Sequence, residues 1–206
     1  MDTNLVPTKG NLLLSKNTLK LSKQGYDLLD KKRTILINEM MSLIGKAEDI
    51  QSQIDQTFSD AYVALQRANI SEGISRIKEI SAAVPIANNI NVRFHSVMGV
   101  EIPEVVSTEE KVHLVYGFMG TSTMLDDALE KFRKVRELTE KLAEVETSVY
   151  RLAVNVKKTQ KRANALKNII IPRYTAIVAN MANVLEEKER EEFARLKVIK
   201  TQKSKK

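Results

Sequence analysis

The densest set of side chains able to do chemistry is a run of glutamates: Glu186, Glu187, Glu189, Glu191 and Glu192. Carboxylates in such numbers can ligate a hard divalent cation. Lys188, Arg190 and Arg195 stand among them, so on a helix the run reads as a salt-bridged face or as a docking surface for a basic partner. The only histidines, His95 and His113, share no local ligand spacing, and a structural or solvent-facing role is expected for both. Cysteine is absent, which removes thiolate, disulfide and cysteine–metal chemistry. The sequence has no Gly-x-x-x-x-Gly-Lys-Ser/Thr phosphate loop, no Gly-x-Gly-x-x-Gly, no Gly-x-Ser-x-Gly and no His-Glu-x-x-His. No catalytic, cofactor-binding or metal-binding residue is assigned, and a non-enzymatic role is expected.

Charge gives a second view of possible partners. The formal net charge is +7, but Lys197, Lys200, Lys203, Lys205 and Lys206 place five positive charges in the last ten residues without an acid. The remaining body is close to neutral and poor in aromatics that could stack on bases, so no nucleic-acid partner is expected. Opposite charges at helical spacing, as in Asp127 and Lys131, Glu130 and Lys134, or Glu186 and Arg190, describe a solvated helix face. No apolar run approaches the roughly 20 residues needed to cross a bilayer, and the Met-Asp-Thr-Asn start lacks signal-peptide character. A cytoplasmic protein is expected.

Such a surface needs long helices beneath it, and the apolar spacing supplies them. The first arm carries Leu12, Leu19, Tyr26, Leu29, Leu36, Met40, Leu43, Ala47, Ile50, Ile54, Ala61, Ala64 and Ala68 at heptad core positions, with Ser15, Ser22, Arg33 and Thr57 as exceptions. The second carries Leu138, Leu142, Val145, Val149, Leu152, Val156, Ala163, Leu166, Ile170 and Ile177, broken at Thr159 and Arg173. A pattern sustained over so many heptads predicts supercoiled helices, with the Met40-Met41 pair and Met181 as seam filling rather than an adaptable binding stripe. Helices of roughly 65 and 80 residues would be about 100 and 120 Å long. Two unequal arms separated by a breaker-rich middle favour internal antiparallel pairing over a parallel self-associating scaffold, the alternative reading.

The expected fold is mainly α: a two-helix antiparallel coiled coil with a middle segment of short helices and a small β-hairpin. Its segments are an N-terminal arm over 1–70, the middle over 71–120, a C-terminal arm over 121–200 and a disordered basic tail over 201–206. Pro7 and Thr8 make a start for the first arm. Gly25 and Gly45 each mark either a close approach of another chain or a neutral position on an exposed face. Ile90, Val92 and Phe94 alternate with polar residues, Met98-Gly99 turns the chain, and Val100 to Ile102 runs to Pro103, which predicts the hairpin. Ser107 with Glu110 is a capping pattern for a short helix, and Pro172 is expected to bend the second arm.

Particular residues of both arms carry a family resemblance. Thr159, Arg162, Asn164, Ala165 and Leu166 lead into the apolar run Ile169 to Ile171, then Pro172 and Arg173. The arm closes with Leu185, Glu189, Arg190, Glu191, Glu192, Phe193, Arg195, Leu196 and Lys197. This order resembles the carboxyl-terminal signature of the D subunits of V-type and archaeal-type rotary ATPases. The first arm resembles the same family through Pro7-Thr8, Leu12, Gly25, Leu28-Leu29, Lys32 and Leu36, and departs from it at Asp30, Thr34 and, in the second arm, Lys167.

The resemblance implies a central rotor shaft, peripheral to the membrane, that couples ATP synthesis or hydrolysis to proton or sodium transport. It implies as partners the catalytic hexamer of three A and three B subunits (A3B3), the small F subunit, and a connector (C/d) to the membrane ring. Lys9, Arg190, Arg195, Lys197 and Lys200, near the free ends, are the expected contacts with the catalytic head. Ile90, Val92, Phe94, Val100 and Ile102 of the hairpin are the expected contacts with stalk partners, with a passive cap over the end of the helical pair as the alternative.

Overall fold

A computed structural model describes residues 6–84, 90–107, 116–117 and 121–204. The elements are α1 (Lys9–Glu72), α2 (Ile74–Ala83), β1 (Ile90–Val97), β2 (Val100–Ser107), α3 (Thr123–Ala165), a π-helical turn (Leu166–Ile170) and α4 (Ile171–Lys203). The long N- and C-terminal helices pack against each other, and the two strands form an antiparallel hairpin between them in sequence, as the alternating residues predict. Two compact units divide the chain: Ile35–Val156, and Met1–Thr34 together with Lys157–Lys206. His113 and Glu110 lie outside the described residues.

In the unit Ile35–Val156, α1 and α3 run antiparallel. Ala68 of α1 clusters with Ile77 and Leu125, while Leu36, far earlier in α1, clusters with Leu152, far later in α3. Ala61, Ala64 and Ala68 face this seam fully buried, and Ala128 of α3 is buried with them, since small side chains permit a close helical approach. Phe58 stacks on Tyr62, which meets Phe132 of α3 edge to face at 5.7 Å. Gly73, at φ 89, ends α1 and starts α2, a left-handed conformation that glycine adopts without steric cost.

The hairpin turns through Met98 (φ 51) and Gly99 (φ 75), both left-handed, the geometry a two-residue hairpin loop requires. Its register pairs Phe94 with Pro103 and Val92 with Val105, so β2 runs on past Pro103 to Ser107. Proline does not end this strand because its nitrogen sits on the edge facing away from β1, where no ladder bond is needed. Two residues further on, the Val105 N–H points to that same outer edge and donates to Glu144 of α3 at 2.8 Å. Two residues earlier, the Glu101 carbonyl accepts from Arg151 Nη1 at 3.2 Å. The outer edge of β2 is thus covered by a helix, which protects it from pairing with another strand.

In the unit of Met1–Thr34 with Lys157–Lys206, Thr8 caps α1: its Oγ1 accepts from the Asn11 N–H at 3.2 Å. Antiparallel pairing here is fixed by Arg33 with Gln160 (2.5 Å), Ser15 with Met181 (4.0 Å) and Lys9 with Glu189 (2.8 Å). Ser15 and Thr159, polar exceptions of the heptad pattern, stay in the seam, whereas Arg173, another, is exposed; Met41, in the other unit, is 60% exposed and does not fill the seam. Ser15 is 3% exposed and donates its hydroxyl to the Met181 sulfur, and Thr159 is buried too. Gly25 is half-buried, yet a Cβ there would lie 3.8 Å from Leu166 Cδ1, an ordinary contact. Gly45, in the other unit, is exposed with nothing within 4 Å of that position. Neither glycine is needed for a close approach within the chain. The helix of the second arm carries on through residues 201–203.

Candidate functional site

The residues expected at the free ends are exposed, and three of the five are ion-paired. Lys9 Nζ meets Glu189 at 2.8 Å, Arg190 meets Glu186 at 2.5 Å one turn earlier, and Arg195 meets Glu191 at 3.7 Å. The hydrogen bond to Glu189 and its charge raise the Lys9 pKa, and the same contact lowers that of Glu189. Pairs this exposed contribute little to stability, so their charges can be re-paired cheaply by another molecule. Lys197 and Lys200, further along α4, are exposed too. Three carboxylates of the glutamate run, Glu186, Glu189 and Glu191, are thus paired with cations, and among the described residues no cluster of acids or histidines is arranged to hold a metal ion.

The hairpin residues do not act as one surface. Val100 and Ile102 are buried with Leu36 and Leu152, and Met40, Leu43, Val97 and Val156 pack around them. Ile90, Val92 and Phe94 of β1 are exposed, Phe94 at 57%, with the Arg151 guanidinium 5.1 Å from its ring centre. β2 anchors and β1 presents. His95, on β1, is exposed.

Of the family-motif residues, Gly25 lies in the seam facing Leu166, Pro7 and Thr8 lie at its end and precede α1, and Arg162, Asn164, Pro172 and Arg173 of the second arm are exposed. Asn164 accepts from Gln160, which in turn accepts from Arg33. Pro172 is the second residue of α4, directly after the π-turn.

A further surface lies outside the heptad positions counted from Leu12. Leu14, Leu21 and Leu28 recur every seven residues on α1 and are 64%, 67% and 67% exposed. A leucine row two residues out of step with the seam was the available signal, and periodicity alone does not say which of two rows faces inward. Exposed rows of large apolar side chains mark surfaces meant to be covered.

A family model described as the D subunit of ATP synthase matches residues 11–201. The chain belongs to this family. The V-type ATP synthase D subunit of Thermotoga neapolitana is 42% identical to it, over 96% of this chain and 97% of the relative. The A-type ATP synthase D subunit of Pyrococcus abyssi is 38% identical over 94% and 92%. That of Thermococcus kodakarensis is 38% identical over 96% and 94%. The match to the D-subunit family takes in nearly all of both arms, the hairpin, and Arg190, Arg195, Lys197 and Lys200, with Lys9 just outside it. No helix among the described residues is long and apolar enough to cross a membrane.

Proposed function

We propose that this D-subunit chain is the central-stalk rotor shaft of a V/A-type rotary ATPase. It is a non-catalytic component that carries torque between ATP synthesis or hydrolysis in the catalytic head and proton or sodium transport through the membrane ring. The observation that carries this reading is the double use of α1. One leucine row is consumed by the antiparallel pairing, and a second, Leu14, Leu21 and Leu28, is left facing outward. Paired helices resist bending, and an outward apolar row suits a part that turns inside a collar of other subunits. A rotor biases catalytic sites only by touching them differently at each angle, and a surface with leucines on one side and ion pairs near its ends supports that.

In this reading Lys9, Arg190 and Arg195 exchange their present ion pairs for acidic collars of the A3B3 hexamer, and Lys197 and Lys200 join them there. The exposed strand β1, through Ile90, Val92 and Phe94, contacts the F subunit or the connector, while Val100 and Ile102 only hold the hairpin in place. The protein sits in the soluble sector at the cytoplasmic face of the membrane.

Co-expression with A, B and F subunits, followed by mass determination and an ATPase assay, tests this. One copy of the chain per three A and three B subunits, with altered ATPase activity, is expected. Replacing Leu14, Leu21 and Leu28 with serine should weaken assembly while helical content is kept. A stable homo-oligomer that ignores those subunits refutes the shaft and favours a coiled-coil scaffold.

A further inference from the structure

The heptad of the second arm loses step by one residue at the π-turn. Upstream, the covered residues Leu152, Val156, Thr159, Ala163 and Leu166 alternate steps of four and three. Continued unbroken, those steps reach Ile170, Arg173, Ile177, Asn180 and Val184. Arg173 and Asn180 are instead exposed, while Tyr174 and Met181, each one residue later, are covered. At the remaining steps both candidates, Ile170 and Ile171, Ile177 and Val178, Val184 and Leu185, are covered to some degree. The polar positions therefore decide that the series followed is Ile171, Tyr174, Val178, Met181 and Leu185. The cause is local. The Ile171 N–H bonds the Leu166 carbonyl five residues back, and such a wide turn holds one residue more than an α-turn. One residue corresponds to a rotation of about 100° around the helix axis.

Both series are apolar wherever they compete at 170/171, 177/178 and 184/185. They differ at only two places: Arg173 against Tyr174, and Asn180 against Met181. α4 therefore carries two nearly equivalent seams offset by one residue. Opposite the turn, α1 presents Gly25, which has no side chain to interlock with Leu166. Pro172 also bears on the choice, because in a regular α-turn its ring clashes with the carbonyl four residues back, and the wide turn relieves this.

We propose that Leu166–Ile170 is a two-state register joint. In the wide state α4 turns Tyr174 and Met181 toward α1. Closure to an α-turn rotates α4 about its axis and brings Arg173 and Asn180 there instead. The charge of Arg173 and the ring of Pro172 hold the joint wide.

The chain has no native cysteine among its residues to interfere with a cross-linking test. In the full chain, Ser15→Cys is combined with either Met181→Cys or Asn180→Cys, and the rates of disulfide formation under mild oxidation are compared. The 181 pair is expected to form faster. Arg173→Leu, or separately Pro172→Ala, should raise the rate of the 180 pair relative to the 181 pair several-fold. Deleting Asn168 removes the surplus residue, so in the Arg173→Leu background the ratio should return to its low starting value with helical content retained. A 180 pair as fast as the 181 pair in the otherwise unchanged chain overturns the register assignment. A ratio unmoved by both Arg173→Leu and Pro172→Ala overturns the two-state joint.

Discussion

Leu152→Ala examines whether the hairpin is fastened to the helices by packing. Leu152 is 0% exposed and lies in one cluster with Leu36, Val100 and Ile102. Truncating a buried leucine to alanine costs about 2–5 kcal/mol, depending on how far the surroundings collapse into the hole. Here one wall is a two-stranded hairpin and another is the flexible side chain of Met40, both able to move inward, which places the loss near ~3 kcal/mol. Alanine is the better helix former, so any loss comes from packing and not from helix propensity. Urea unfolding followed by circular dichroism should show the midpoint falling by about 1.5 M, taking a denaturant slope of about 2 kcal/mol per M. Hydrogen exchange at the Val105 amide, held by Glu144, should quicken as the hairpin loosens. Leu21→Ala is the control, because Leu21 is exposed and its truncation should cost less than about 0.5 kcal/mol. If Leu152→Ala shifts the midpoint no more than Leu21→Ala does, the docking of the hairpin on α1 and α3 is refuted.

Three further outcomes are expected. Met98→Asn should stabilise the hairpin by about 1 kcal/mol, because asparagine tolerates the left-handed backbone at φ 51 better than methionine, and slower exchange of the hairpin amides would show it. Gly45→Ala should raise stability by up to about 1 kcal/mol, since the position is helical and open, and an unchanged or lower urea midpoint would contradict this. Tyr116 donates its hydroxyl to Asp126 at 2.5 Å, and burial, helped by that bond, pushes its pKa up from 10.0 to about 12. The unfolded chain then loses this proton first, so its contribution is present below pH 10 and is lost as pH rises through about 12; Tyr116→Phe should remove that part of the pH dependence of unfolding.

The pairing of the arms was legible because burial along a helix repeats every three to four residues, and Leu36, Ile54, Ala61, Leu152 and Ala163 announce it by type alone. The hairpin turn was legible for the same local reason: alternation on either side of Met98-Gly99 leaves the chain little else to do. Three matters were settled only by tertiary contact. Whether Pro103 ends β2 depends on which edge its nitrogen faces, which requires knowing that α3 supplies Glu144 and Arg151 to the other groups on that edge. Which leucine row of α1 is covered depends on where the second arm lies, since Leu12 and Leu14 are equally good candidates by composition. The step at Arg173 looked like a flaw in the heptad because periodicity assumes an unbroken α-helix. The π-turn before Pro172 inserts one residue, and Tyr174, one position later, takes the place that Arg173 could fill only by burying a charge. Sequence alone determined that two long helices pair, because periodic burial is a local property; their register and outward face were decided in three dimensions, because each depends on what the partner helix offers in return.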